Sequence, residues 1–180
     1  VFLTLTDDGS FSAESNKGFI PSDERNVAVK AALRFAKEYD MQGKGVHIKL
    51  FKRNPVCAGL GGGSTDAAAV LRGLNTMMDK PFTMEQLEAM ACDVGSDVAF
   101  CVCGGTQLAT NRGEVMTELP YFGDHPVVIC KPYFSISTPE LFKQIDKRKN
   151  KCRPDTDGIV KALQEGNSQG VICRMYNVFE

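Results

Sequence analysis

From residue 55 to residue 70 the chain reads Pro-Val-Cys-Ala-Gly-Leu-Gly-Gly-Gly-Ser-Thr-Asp-Ala-Ala-Ala-Val, with four glycines in the five positions from Gly59 to Gly63. No other stretch constrains the fold so strongly. Glycines at this density let the backbone approach a ligand closely, because no Cβ stands in the way. Before them, Val46, Ile48 and Leu50 alternate with His47, Lys49 and Phe51, which predicts a half-buried strand. After them, an alanine-rich run predicts a helix from about Thr65 to Met78. A strand, a glycine loop and a helix in that order aim the free N–H groups of the first helical turn at the loop. The helix dipole favours negative charge there, so the arrangement suits a phosphate. Ser64 and Thr65 add hydroxyls for a phosphate oxygen or a magnesium ion. A flexible linker would neither place Leu60 amid the glycines nor run straight into a helix.

Two better-known phosphate loops are excluded. The pattern G-x-x-x-x-G-K-S/T needs a lysine, and none stands between Pro55 and Arg72. The dinucleotide fingerprint G-x-G-x-x-G fails at its last position, where Ser64 stands. Phosphate charge must then be neutralised by backbone amides, a metal ion and residues from elsewhere.

The rest of the chain reads as alternating short strands and helices. Val1 to Thr6 alternates as a strand already in progress, and Asp7-Asp8-Gly9 is a turn. Ser22 is a candidate cap for a helix running to about Tyr39. Thr83-Met84-Glu85-Gln86 is a capping box, and its helix should end near Val94 with Gly95 in a left-handed stop. Val98 to Cys103 is a short apolar run, strand or helical turn. Val127 to Lys131 reads as a buried strand, and Thr138-Pro139-Glu140 opens a helix. Composition softens at Gly123-Asp124-His125-Pro126, a candidate domain boundary. Met175 to Glu180 stops within an apolar pattern, so both ends read as cuts in a longer chain.

The 21 basic and 22 acidic residues leave no basic footprint for nucleic acid or an anionic membrane surface. No apolar run approaches the ~20 residues of a membrane span. The seven cysteines are odd in number and include no C-x-x-C, which suits reduced thiols in a cytosol. Cys101 and Cys103 would share one face of an apparent strand, as core rather than as metal ligands. His47 and His125 are far apart with no nucleophile pattern nearby. Among the acidic residues, Asp97 stands out. It follows Gly95-Ser96 at a helix end and precedes an apolar run, so it is either a cap or a proton acceptor at a bend in the chain.

Pro55 to Ala68 resembles the second motif of the GHMP kinases, P-x-G-x-G-L-G-x-S. Further similarity lies in Glu24-Arg25-Asn26-Val27, in Gly95-Ser96-Asp97-Val98-Ala99-Phe100, in Gly104-Gly105-Thr106, in Gly113-Glu114 and in Ser137-Thr138-Pro139-Glu140-Leu141-Phe142. Cys57 departs from the family's usual Gly, and Ala99 from its usual Pro. The resemblance implies an α+β, two-domain fold: an ATP-binding α/β domain over residues 1–122 and the start of a C-terminal domain over 123–180. It implies ATP with Mg2+, the nucleotide lying over Pro55, Val56, Cys57, Ala58, Gly59, Leu60, Gly61, Gly62, Gly63, Ser64 and Thr65. It places Asn26 and Lys52 at the adenine, Ser64 and Thr65 at the metal, and Asp97 as catalytic base. The triple glycine followed by Ser-Thr-Asp is similar to the branch whose small-molecule acceptor carries a cytidine diphosphate, with Thr138 and Phe142 beside the cytidine end. The resemblance does not extend to two family motifs, an N-terminal segment with a lysine partner for the aspartate and a tyrosine–histidine pair, and a C-terminal glycine motif. Another GHMP kinase of homoserine or mevalonate type, or an inactive nucleotide-binding fragment, are the alternatives.

Overall fold

The computed structural model describes residues 1–132, 138–147 and 153–178. Its backbone divides into two compact units, Val1–Gly104 with Ala109–Met116, and Gly105–Leu108 with Thr117–Glu180.

The first unit is built on a three-stranded sheet. Strand β1 (Phe2–Thr6), strand β2 (Phe11–Ser15) and strand β3 (Gly45–Leu50) lie in the order β1-β3-β2. β3 is antiparallel to β1 and parallel to β2. β1 and β2 are thus a hairpin split by a third strand, and the link between them crosses the start of β3. That crossing explains Gly45: a Cβ there would stand 2.0 Å from the Ser10 carbonyl oxygen. β2 escapes the sequence reading, because five residues with one buried alanine carry little periodicity without their partner. Alternation on β3 holds as expected. Val46, Ile48 and Leu50 are buried, and the opposite face carries a Ser12–His47 hydrogen bond of 3.0 Å and a Glu14–Lys49 ion pair. His47 is therefore a surface residue of the sheet.

Helix α1 (Val27–Glu38) begins later than expected. Asn26, not Ser22, is its cap, accepting from the Ala28 amide at 3.0 Å. The Ser22 carbonyl instead receives the Ala13 amide of β2. Helix α2 (Gly62–Met77) begins earlier than expected, since left-handed Gly61 turns the chain and Gly62 and Gly63 are already helical. Helix α3 (Met84–Val94) has its capping box formed in full. Its stop differs from the expectation: Gly95 has φ 176°, extended backbone rather than left-handed. Residues Val98–Cys103 are helix α4, which buries Val98, Ala99 and Val102. Cys101 and Cys103 therefore do not share a face, because side chains two apart on a helix diverge. Helices α1 and α2 pack on the sheet, α3 packs on both of those helices, and α4 packs on α2 and α3. Phe35 is fully buried and packs edge-on against Phe82 at 5.2 Å. Asn75, also buried, ties the α2–α3 link by bonds to both backbone groups of Phe82.

A hairpin of β4 (Thr106–Thr110) and β5 (Val115–Leu119) spans the division between the units. In the second unit lie α5 (Thr138–Lys147), α6 (Thr156–Gln164) and α7 (Ser168–Ile172). Asp155 caps α6 and Asn167 caps α7, and Arg174 braces Asp155 at 3.0 Å. The segment 127–131 is not the buried strand its composition predicts. It carries no regular structure and Val128 is 95% exposed, because among the described residues no strand pairs with it. Cys152, Ser137, Phe179 and Glu180 lie outside the described residues.

Candidate active site

The glycine loop sits where β3 hands over to α2. Its chain reversals use positive φ at Cys57, Gly59 and Gly61 (55°, 68° and 62°). Residues Pro55–Ser64, with Val27 and Lys52, line a cavity of about 220 Å³. At its floor the amides of the first turn of α2 have no intrahelical acceptor, and no side chain caps them. They present orphan donors and the positive end of a four-turn helix to the cavity. A Cβ on Gly62 would stand 3.3 Å from Lys52 Nζ, so the loop's glycines make room for protein as well as ligand.

Lys52 answers the missing lysine of the loop itself. It enters from just past β3, its side chain 9% exposed, and its ammonium bonds the Gly62 carbonyl at 2.8 Å and Asp66 Oδ2 at 2.5 Å. Sequence reasoning missed Asp66 and Val27. The spacing of Lys52 and Asp66 shows no helical or strand period, since a loop separates them.

Asn26 does not line the cavity. Its amide group is used within the protein, donating to the Pro21 carbonyl at 2.8 Å while its Oδ1 caps α1. That cap sets Val27, which does line it. The Thr65 hydroxyl donates to the Gly61 carbonyl at 3.0 Å, and Ser64 is half-buried in the first turn. Among the described residues no three His, Cys, Asp or Glu side chains gather as a metal site.

α4 packs on α2 with Asp97 at its N-cap, although Asp97 is not among the residues that line the cavity. Thr65 Oγ1 lies 3.7 Å from Cys101 Sγ, and Arg72 donates to the Val102 carbonyl at 3.4 Å, so α2 and α4 touch along their length. Cys101 donates its amide to the Asp97 carbonyl at 3.2 Å, which puts Asp97 one turn before Cys101 on one face of α4. Asp97 is exposed, and its side chain makes no capping bond although it occupies the N-cap position. The capping alternative is thereby removed. At the other end of α4, burial first and a hydrogen bond with Glu88 second push the Cys103 thiol up to about 12.

Of the two residues expected at the acceptor, Thr138 is the first residue of α5, its side chain outside the described residues. Phe142 follows one turn later and is exposed.

The site thus consists of a strand-to-helix glycine loop with uncapped amides, a lysine at its wall and an aspartate at the start of a helix that packs on α2. Residues 26–105 match the GHMP kinase N-terminal domain. The chain is similar to the 4-diphosphocytidyl-2-C-methyl-D-erythritol kinase of Listeria monocytogenes serotype 4b, 39% identical over 180 residues, all of this chain and 61% of that protein. It thus spans about three fifths of the length of such relatives. A solved 4-(cytidine 5'-diphospho)-2C-methyl-D-erythritol kinase is similar at 29% identity and TM-score 0.63, over 91% of this chain and 58% of that one. A homoserine kinase from Cytophaga hutchinsonii superposes with TM-score 0.73 over 97% of this chain and 61% of that one, at 18% identity, a likeness of fold alone.

Proposed function

We propose that the whole protein phosphorylates the 2-hydroxyl of 4-(cytidine 5'-diphospho)-2-C-methyl-D-erythritol at the expense of ATP. The observation that carries this is the meeting of two elements: the uncapped first turn of α2 and, across the Thr65–Cys101 contact, an aspartate that caps nothing. ATP supplies the transferred phosphoryl group. The amides of Gly62, Gly63 and Ser64 bind and orient its phosphate oxygens, and Lys52 adds a cation at the cavity wall. Asp97 takes the proton from the attacking hydroxyl. Phosphoryl transfer asks little else of a protein than positioning, charge neutralisation and that proton acceptor. The residues present suit a magnesium ion carried by phosphates and water with help from the Ser64 hydroxyl, not a protein cage. Thr138 and Phe142 serve the cytidine end, the first unit forms most of an ATP-binding domain reaching about residue 122, and the reaction takes place in the cytosol.

Identity favours this acceptor over homoserine, since the homoserine kinase likeness is one of fold. The test is ADP release by the full-length protein with each acceptor. Asp97→Asn should lower turnover by at least ~100-fold, the low end for a general base, with the Kd for ATP little changed. Near-normal turnover in that variant would sink the role of Asp97, and turnover with homoserine alone would sink the choice of acceptor.

A further inference from the structure

The loop cavity has one cationic wall, and that wall is held from two directions. Lys52 Nζ is bonded to Asp66 and to the Gly62 carbonyl, with Asp66 only 17% exposed. The main chain of Lys52 is bracketed by Asn16, just past the end of β2. The Lys52 amide donates to Asn16 Oδ1 at 2.8 Å, and Asn16 Nδ2 donates to the Lys52 carbonyl at 3.3 Å. Lys52 lines the cavity, whereas Asn16 and Asp66 do not. A carboxylate so close to an anion-binding helix end repels the anion unless a cation stands beside it.

We infer that Asp66 and Asn16 are positioning residues for nucleotide binding, acting through Lys52: together they fix its ammonium at the cavity wall, where it meets the bound nucleotide. This rests on the phosphate-loop reading above. The charge on Asp66 makes the inference sharp, because its two effects have opposite signs. If Asp66 only repels phosphate, removing its charge tightens binding. If it positions Lys52, removing its charge loosens binding.

The experiment measures the affinity of the full-length protein for a non-hydrolysable ATP analogue by calorimetry, with thermal melts to verify folding. Asp66→Asn keeps the shape of the side chain and should weaken binding by about tenfold, the scale of one charge-assisted hydrogen bond. Asn16→Ala should weaken it in the same direction, and Asp66→Glu should recover part of the loss. Lys52→Met should weaken binding at least as much, and adding Asp66→Asn to it should cost nothing more, the mark of two residues acting as one. Unchanged or tighter binding in Asp66→Asn overturns the inference, as does a loss that adds in full to that of Lys52→Met. A second arm needs no nucleotide: amide exchange over residues 55–62 should quicken in Asp66→Asn and Asn16→Ala, and unchanged exchange overturns the relay. Failure of the unmutated protein to bind the analogue would instead overturn the phosphate-loop reading, leaving the exchange arm to decide the relay.

Discussion

Cys57 carries a side chain at φ 55°, a conformation that costs an L-residue roughly 1–2 kcal/mol and costs glycine nothing comparable. Its side chain is exposed, so little packing offsets that strain. Cys57→Gly relieves the strain but frees the unfolded chain, which costs about 0.4–1 kcal/mol. Relief outweighs the added freedom, so the variant should melt a degree or two higher, and the β-branched Cys57→Val should melt lower. A clear fall in melting temperature for Cys57→Gly would show that the thiol makes contacts the strain argument omits. The departure from glycine at this position is plain in the sequence; its backbone conformation is not, because only the folded loop forces it. Lys52 and Asp66 show the same limit. The resemblance places Lys52 at the adenine, but nothing in the sequence pairs it with Asp66; only the meeting of β3 with α2 does so.

At the scale of elements, the capping box of α3 and the ends of α1, α2 and α3 were legible, whereas the cap of α1 and the first residues of α2 were not. Thr83 and Gln86 form the reciprocal cap that their spacing announces, with bonds of 2.9 and 3.4 Å. Gly95 looked like a left-handed stop, yet extended backbone ends α3, with the Gly95 amide still donating to the Ala91 carbonyl. The six apolar residues of α4 are too few for periodicity to separate helix from strand. That ambiguity bears on Cys103, whose place at the C-terminal end of α4 holds its thiol well above the ordinary 9.0, at about 12. Between those values the unfolded chain has released a proton that the folded chain keeps. Stability from this group is therefore full below about pH 9 and lost as pH rises toward 12. The same burial makes Cys103 a poor nucleophile, since the thiolate is the reactive form. In alkylation at pH 8 followed by mass spectrometry, Cys103 should react well after exposed Cys57, Cys130 and Cys173. Modification of Cys103 at the rate of Cys173 would contradict this.

Over the whole molecule, the glycine loop looked like a local feature of the chain, one motif between one strand and one helix. It is held by a distant one. β2 and β3 are parallel, so α1 must cross between them before they can pair. Asn16 and Lys52 lie just past the paired ends Ser15 and Leu50, and a slip of one residue would part them and turn Ala13 out of the core. The consequence is one of timing. Helices α1 and α2 can form from nearby contacts, whereas the wall of the cavity waits for a long loop to close, a step that is slow in folding. On dilution from denaturant, helical circular dichroism should recover first and protection of the amides of residues 55–62 later. Simultaneous recovery would mean that the loop takes its shape without the strand register behind it.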